Sequence, residues 1–104
     1  MTPSTWRVFI TPSAERGVLK LPNKVRNFIF KEFSRIVKHN PFIGMQLEGE
    51  MSHIRSYHFR IDGQPYRIAY IIDRKRKEMS IRWADYRGDF YKKLKRQLQR
   101  HKYT

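Results

Sequence analysis

The sequence contains no cysteine, which removes disulfide frameworks, thiol nucleophiles, zinc knuckles and iron–sulfur sites together. It has no long apolar run either. The longest, Ile68-Ala69-Tyr70-Ile71-Ile72, falls far short of the roughly 20 residues that a membrane span needs. Met1 to Arg7 lacks the apolar core of a secretion signal, so a cytoplasmic location with no membrane partner is expected. No phosphate-loop, HExxH or EF-hand pattern occurs, and His39, His53 and His101 have no neighbours at metal spacing. No metal or cofactor is therefore expected. Acidic residues are scarce as well: nine Asp plus Glu stand against 23 Lys plus Arg, a formal charge of +14. That excess points to a polyanion as partner.

What remains is enough for a folded body. The 104 residues are 39% hydrophobic and 14% aromatic, which suits one domain over residues 1–104 with its own core and excludes a disordered basic tail. Trp6 to Ile10 is rich in β-formers and reads as a strand. Thr11-Pro12 supplies an N-cap followed by proline at the first helical position, opening a short helix to about Lys20. Pro22 starts a longer helix, in which Val25, Ile29, Phe33, Ile36 and Val37 recur at three- and four-residue spacing, and it closes at Asn40-Pro41. Phe42 to Ser52 has no clean period and reads as a loop.

Beyond it the period changes to two. Tyr57, Phe59 and Ile61 alternate with His58 and Arg60. Asp62-Gly63-Gln64-Pro65 is turn chemistry, and Tyr66, Ile68, Tyr70 and Ile72 form the next buried face. A turn through Asp73 to Lys77 leads to Met79, Ile81 and Trp83 on the same face of a third strand. After Gly88 a last helix runs to about His101 on a stripe of Phe90, Leu94 and Leu98. The expected fold is α+β: a small, mostly antiparallel sheet with an N-terminal helical pair on one face, in the order β-α-α-β-β-β-α.

Pairing Ile61 with Tyr66 across a 62–65 turn would set Arg60 opposite Arg67 and His58 opposite Ala69. A 73–78 loop would set Arg82 opposite Ala69 and Arg67 opposite Ala84. His58, Arg60, Arg67 and Arg82 would then share the face away from the apolar residues, with Ala69 as a floor between them. Opposed arginines repel each other, so their presence points to an anion that needs them.

Several pieces in order resemble the RelE/ParE superfamily of toxin–antitoxin toxins. They are Leu19-Lys20-Leu21-Pro22 before a helix, Asn40-Pro41 closing it, and Leu47-Glu48-Gly49 in the loop. Tyr57-His58-Phe59-Arg60-Ile61, Tyr66-Arg67-Ile68-Ala69-Tyr70 and Arg87-Gly88-Asp89-Phe90-Tyr91 complete the set. The resemblance covers roughly residues 6 to 96 and implies a small sheet with helices on one face. Its RelE-like branch comprises metal-independent ribonucleases that cut messenger RNA, usually in the ribosomal decoding site, and so inhibit translation. Its ParE-like branch poisons DNA gyrase and generally lacks the basic residues on the sheet. By resemblance Arg67 matches the phosphate-stabilising arginine, and His58 and Arg60 match basic strand residues. Arg87 and Tyr91 match the C-terminal arginine and tyrosine. The chain departs in carrying histidine and arginine where the best-known members have lysines, and Asp85 near where some carry another basic residue.

RNA cleavage through the 2′-hydroxyl needs a base, a holder of phosphorane charge and an acid. Arg67 suits the charge-holding role with Arg60 assisting, because a planar guanidinium binds two phosphate oxygens. His58, with an ordinary pKa near 6.5, suits proton transfer, and surrounding cations would keep it neutral. Arg87 or Tyr91 would serve as acid or orient the nucleophile. Arg82 is expected to contact RNA phosphates or the antitoxin, and Lys92 and Lys93 to contact RNA phosphates. Expected partners are messenger RNA, the ribosome and a cognate antitoxin with an acidic segment. A ParE-like gyrase inhibitor and a non-catalytic RNA-binding module stay open as alternatives.

Overall fold

A computed structural model describes residues 6–86 and Arg96. The helix expected after Gly88 lies outside the described residues. Strand β1 (Arg7–Ile10) leads into helix α1 (Pro12–Leu19), whose N-cap Thr11 accepts a hydrogen bond from the Ala14 amide at 3.3 Å. The next helix is continuous but changes type. It is α-helical over Asn23–Asn27 (α2), a π-helix over Phe28–Phe33 and α-helical again over Ser34–His39 (α3).

The π-segment follows from the sequence pattern. Val25, Ile29, Phe33 and Val37 are all fully buried, a strict four-residue repeat. In a pure α-helix each four-residue step overshoots a full turn by roughly 40°, so the stripe would wind off the sheet. The wider π-turn takes up that excess and keeps the four side chains on the core. Ile36, placed on the stripe by sequence, is only half-buried.

The segment read as a loop contains a two-residue strand, β2 (Met45–Gln46), and a 3₁₀ turn (Gly49–Met51). Two residues are too few to carry a period. Strands β3 (Ile54–Ile61), β4 (Gln64–Asp73) and β5 (Glu78–Tyr86) are longer than expected at their ends. The sheet order is β1-β5-β4-β3-β2, with β1 parallel to β5 and the other pairs antiparallel.

Both expected registers shift. Ile61 pairs with Gln64, so the first hairpin turns on Asp62-Gly63 alone, with φ of 50° and 78°. Two successive positive φ values make the type I′ turn whose twist suits a hairpin, and Gln64 and Pro65 join the strand. Arg60 therefore faces Pro65 rather than Arg67, and His58 faces Arg67 rather than Ala69. In the second hairpin the expected register holds from Asp73↔Glu78 to Tyr70↔Ile81 and then slips at a bulge, giving Ala69↔Trp83 and Arg67↔Asp85. Arg82 is the extra residue. One added residue reverses the alternation beyond it. Ala84 turns to the helical core and Trp83 to the other face, contrary to expectation.

Helices and sheet enclose the main core, in which rings run in series across three strands. Phe28 stacks on Phe59 at 4.3 Å, Phe59 on Tyr66 at 5.6 Å, and Tyr66 meets Tyr86 edge-on at 5.9 Å. On the opposite face Trp83, Ile54, Ala69 and Ile71 form a smaller cluster with Leu47 and Met51 of the loop before β3. Ala69 is fully buried there and offers no exposed floor to a ligand.

Tyr70 ties that loop down. Its hydroxyl donates to the Pro41 carbonyl at 2.7 Å and accepts from the Gly44 amide at 2.8 Å. Burial pushes the phenol pKa up, so the hydroxyl keeps the proton it donates. Tyr70→Phe should cost about 1–3 kcal/mol, because it leaves a buried amide and a carbonyl without partners. Chemical denaturation checks this value, and an unchanged midpoint would contradict it.

Candidate active site

Alternation along β3 and β4 sends His58, Arg60, Pro65 and Arg67 to the face away from the helices. The tight Asp62-Gly63 turn sets which of them meet. His58, Arg67 and Asp85 form one row across β3, β4 and β5. His58 and Arg60 flank, together with Pro65 and Arg67, a shallow depression of about 400 Å³ at the turn end of the hairpin. Arg60 bends toward the turn and donates from Nη1 to the Gly63 carbonyl at 3.2 Å. The Asp85 carboxylate is oriented by the Tyr86 amide, which donates to its Oδ1 at 2.7 Å.

The row replaces the expected clash of two arginines with an imidazole, a guanidinium and a carboxylate side by side. His58 titrates below its ordinary value, chiefly because partial burial disfavours the charged ring and secondly because the Arg67 charge repels a second cation. The neutral imidazole, which can accept a proton, is therefore the form present at neutral pH.

The other candidates are placed differently. Arg82 shares the face, but its Nε donates to Ser80 Oγ at 2.9 Å, directing the guanidinium away from the Arg67 row. Arg87, Tyr91, Lys92 and Lys93 lie outside the described residues. Asp85 is the member of the row that sequence reasoning did not assign to the site. The Asp-Gly pair signals the β3–β4 register that sets His58 against Arg67, but the bulge at Arg82 that brings Asp85 opposite Arg67 left no mark in the sequence. Among the described residues, no group of three or more His, Asp or Glu side chains could hold a metal ion. No helix among them is long and apolar enough to cross a membrane.

A small, mostly antiparallel sheet with helices on one face and the His58–Arg67–Asp85 row on the other is the architecture in which a known class of protein can be sought. The family model for the ParE-like toxin of type II bacterial toxin-antitoxin systems matches residues 8–95. The chain therefore belongs to that family. No curated protein sequence matches it. Among solved structures it is similar to a chain of the toxin–antitoxin complex RelBE2 from Mycobacterium tuberculosis. That match has a TM-score of 0.68 and 26% identity, covering 82% of this chain and 94% of the other. It is similar to a chain of the archaeal RelE–RelB complex from Pyrococcus horikoshii, with a TM-score of 0.61 and 27% identity over 81% and 97% of the two chains. A mutant Escherichia coli toxin RelE in the free state shares the fold, at a TM-score of 0.72, 15% identity and coverage of 92% and 97%.

Proposed function

We propose that this toxin is an endoribonuclease that cleaves messenger RNA at the ribosome and so stops translation, using side chains alone for proton transfer and charge stabilisation. The observation that carries the reading is His58 directly opposite Arg67, with Arg60 on the same depression. The His58 imidazole takes the proton of a ribose 2′-hydroxyl, and the 2′-oxygen attacks the adjacent phosphorus. Arg67 holds the charge that builds on the non-bridging oxygens, assisted by Arg60. The bond to the 5′-oxygen breaks, that oxygen takes a proton from Arg87 or Tyr91, and a 2′,3′-cyclic phosphate remains. Arg82, Lys92 and Lys93 contact flanking phosphates. The fold shared with RelE of RelE–RelB complexes supports the RNA-cleaving branch and a cognate antitoxin, whose acidic segment suits the +14 charge. The cytoplasm is where both substrate and partner would be met.

Primer extension on a defined message, with and without translating ribosomes, tests this reading. Cuts within codons that require ribosomes are expected. Cuts on bare RNA would keep the enzyme and remove the ribosome, and intact transcripts from protein that still arrests growth would overturn the nuclease. The ParE-like family match favours gyrase inhibition as the second reading, which a supercoiling assay distinguishes.

The pH dependence of cleavage provides a sharper check. Cleavage by a His58 base should fall as pH drops and the ring protonates. Because the folded-state pKa is lowered, the acid limb should have its midpoint below about 6.5, the ordinary histidine value. The His58 ring titration followed by NMR should share that midpoint. A limb above the ordinary value, or one that persists in His58→Ala, would remove His58 as the base.

A further inference from the structure

The end of the sheet remote from His58 carries a second concentration of positive charge, built from three elements. The Trp6 amide donates to the Lys38 carbonyl at 3.2 Å, and the next amide, of Arg7, donates to the Lys77 carbonyl at 2.9 Å. These two bonds fasten the end of α3 and the β4–β5 turn to the start of β1. The turn itself is Arg74-Lys75-Arg76-Lys77. Its acidic neighbours are already engaged: Glu78 accepts from Arg7 at 2.6 Å, and Asp73 lies 3.9 Å from Arg76. Among the described residues, no acidic group is within ion-pair distance of Lys38, Arg74 or Lys75, so net positive charge remains. Between β1 and α3 runs a groove of about 710 Å³ flanked by Arg7, Phe9, Arg35, Lys38 and His39. Beside it the exposed ring of Phe42 lies 4.6 Å from the Arg74 guanidinium and meets Trp6 edge-on at 6.0 Å.

We propose that this end of the sheet is a second RNA-binding surface, which supplies affinity for the sugar–phosphate backbone while the His58–Arg67 row supplies the chemistry. The inference deepens the RNA-cleaving reading and rests on it for the ligand. Arg67 and the turn lie on the same strand, separated by about 20 Å at roughly 3.3 Å per residue. A polyanion held at the row is therefore presented to the far end at raised effective concentration. Arg55 also lies over the Phe42 ring, at 5.2 Å, so the ring holds guanidiniums in place, and lysines and arginines dispersed in this way suit a chain of phosphates better than a compact anion.

The test uses the full chain, a fluorescein-labelled RNA hairpin long enough to reach both ends of the sheet, and a labelled trinucleotide confined to the row. Lys38→Glu and Lys75→Glu alter exposed side chains. Together they should weaken hairpin binding at least about tenfold and reduce the slope of log K against log salt by roughly 0.7–0.9 for each phosphate no longer neutralised, with trinucleotide affinity little changed. Unchanged hairpin affinity would overturn the proposal. So would an equal loss on the trinucleotide, which would mark a diffuse charge effect. If the double variant loses polyglutamate binding while the hairpin still binds, the surface serves an acidic protein segment and the RNA proposal fails. If the wild-type protein cuts no RNA but its hairpin binding still depends on Lys38 and Lys75, the nuclease reading fails and this surface stands.

Discussion

Replacing Arg67 with alanine should lower single-turnover RNA cleavage by about 10²–10³-fold, the usual consequence of removing one donor from a charge-stabilising site. The fold should survive, because Arg67 belongs to neither apolar cluster and projects from the face opposite the helices. Arg67→Lys should recover only part of the loss, since an ammonium cannot present two parallel donors to a phosphate. The same change should alter the pH profile. The Arg67 charge is one of two causes lowering the His58 pKa, so removing it moves the acid limb of the residual activity to higher pH. Partial burial, the larger cause, remains, so the limb should still lie below about 6.5, the ordinary histidine value. A purely structural role for Arg67 would instead lower the melting temperature and leave cleavage per folded molecule near that of the wild type. Melting curves run beside the rate measurements separate the two cases, and full activity in Arg67→Ala would sink the catalytic assignment.

The face of these residues was legible in the sequence, but their neighbours were not. Alternation from Tyr57 to Ile61 and from Tyr66 to Ile68, carried at the same period of two through the apolar run that follows, tells which side chains point away from the helical core. Taking Asp62 to Pro65 as the turn moves the register by two in the pairing sum. That preserves every face and changes every partner. The Asp-Gly pair, strong evidence for a two-residue turn, corrects it. The bulge at Arg82 left no such mark. The extra residue turns Trp83 to the face of Ile54 and Ala69, where alternation from Met79 and Ile81 would have kept it on the helical face. The short β2 strand was equally silent, being held by the Tyr70 hydroxyl and by the Leu47 amide, which donates to Ile54 at 2.9 Å. The helix was legible in part. Its apolar stripe was visible in the sequence, but the wider winding was not, because the four-residue repeat stands out only once Ile36, placed on the stripe by sequence, is found half-buried.

That winding seats Phe33 in the core, where truncation carries a large expected cost. Its ring is fully buried, 5.1 Å from the Tyr57 ring and 5.6 Å from that of Tyr70, so it joins the helix to β3 and to the strand that carries Arg67. Phe33→Ala removes those ring contacts and leaves a cavity that a sheet held on both edges cannot close, at an expected cost of about 3–5 kcal/mol. Small domains hold only about 5–15 kcal/mol in total, so the variant should melt at least roughly 12 °C lower and populate unfolded chains at growth temperature. Phe30, on the outward side of the same π-segment and 39% exposed, is the internal control. Phe30→Ala should change stability by no more than about 0.5 kcal/mol, as surface substitutions do. If the two variants melted together, the four-residue stripe would not be what seats this helix. If Phe33→Ala alone collapses, toxicity should disappear with it through loss of folded protein, and cleavage per folded molecule should remain near that of the wild type. Arg67→Ala predicts the opposite pattern, with normal folding and almost no cleavage. Measured together, the two substitutions separate the face that builds the sheet from the face proposed to act on RNA.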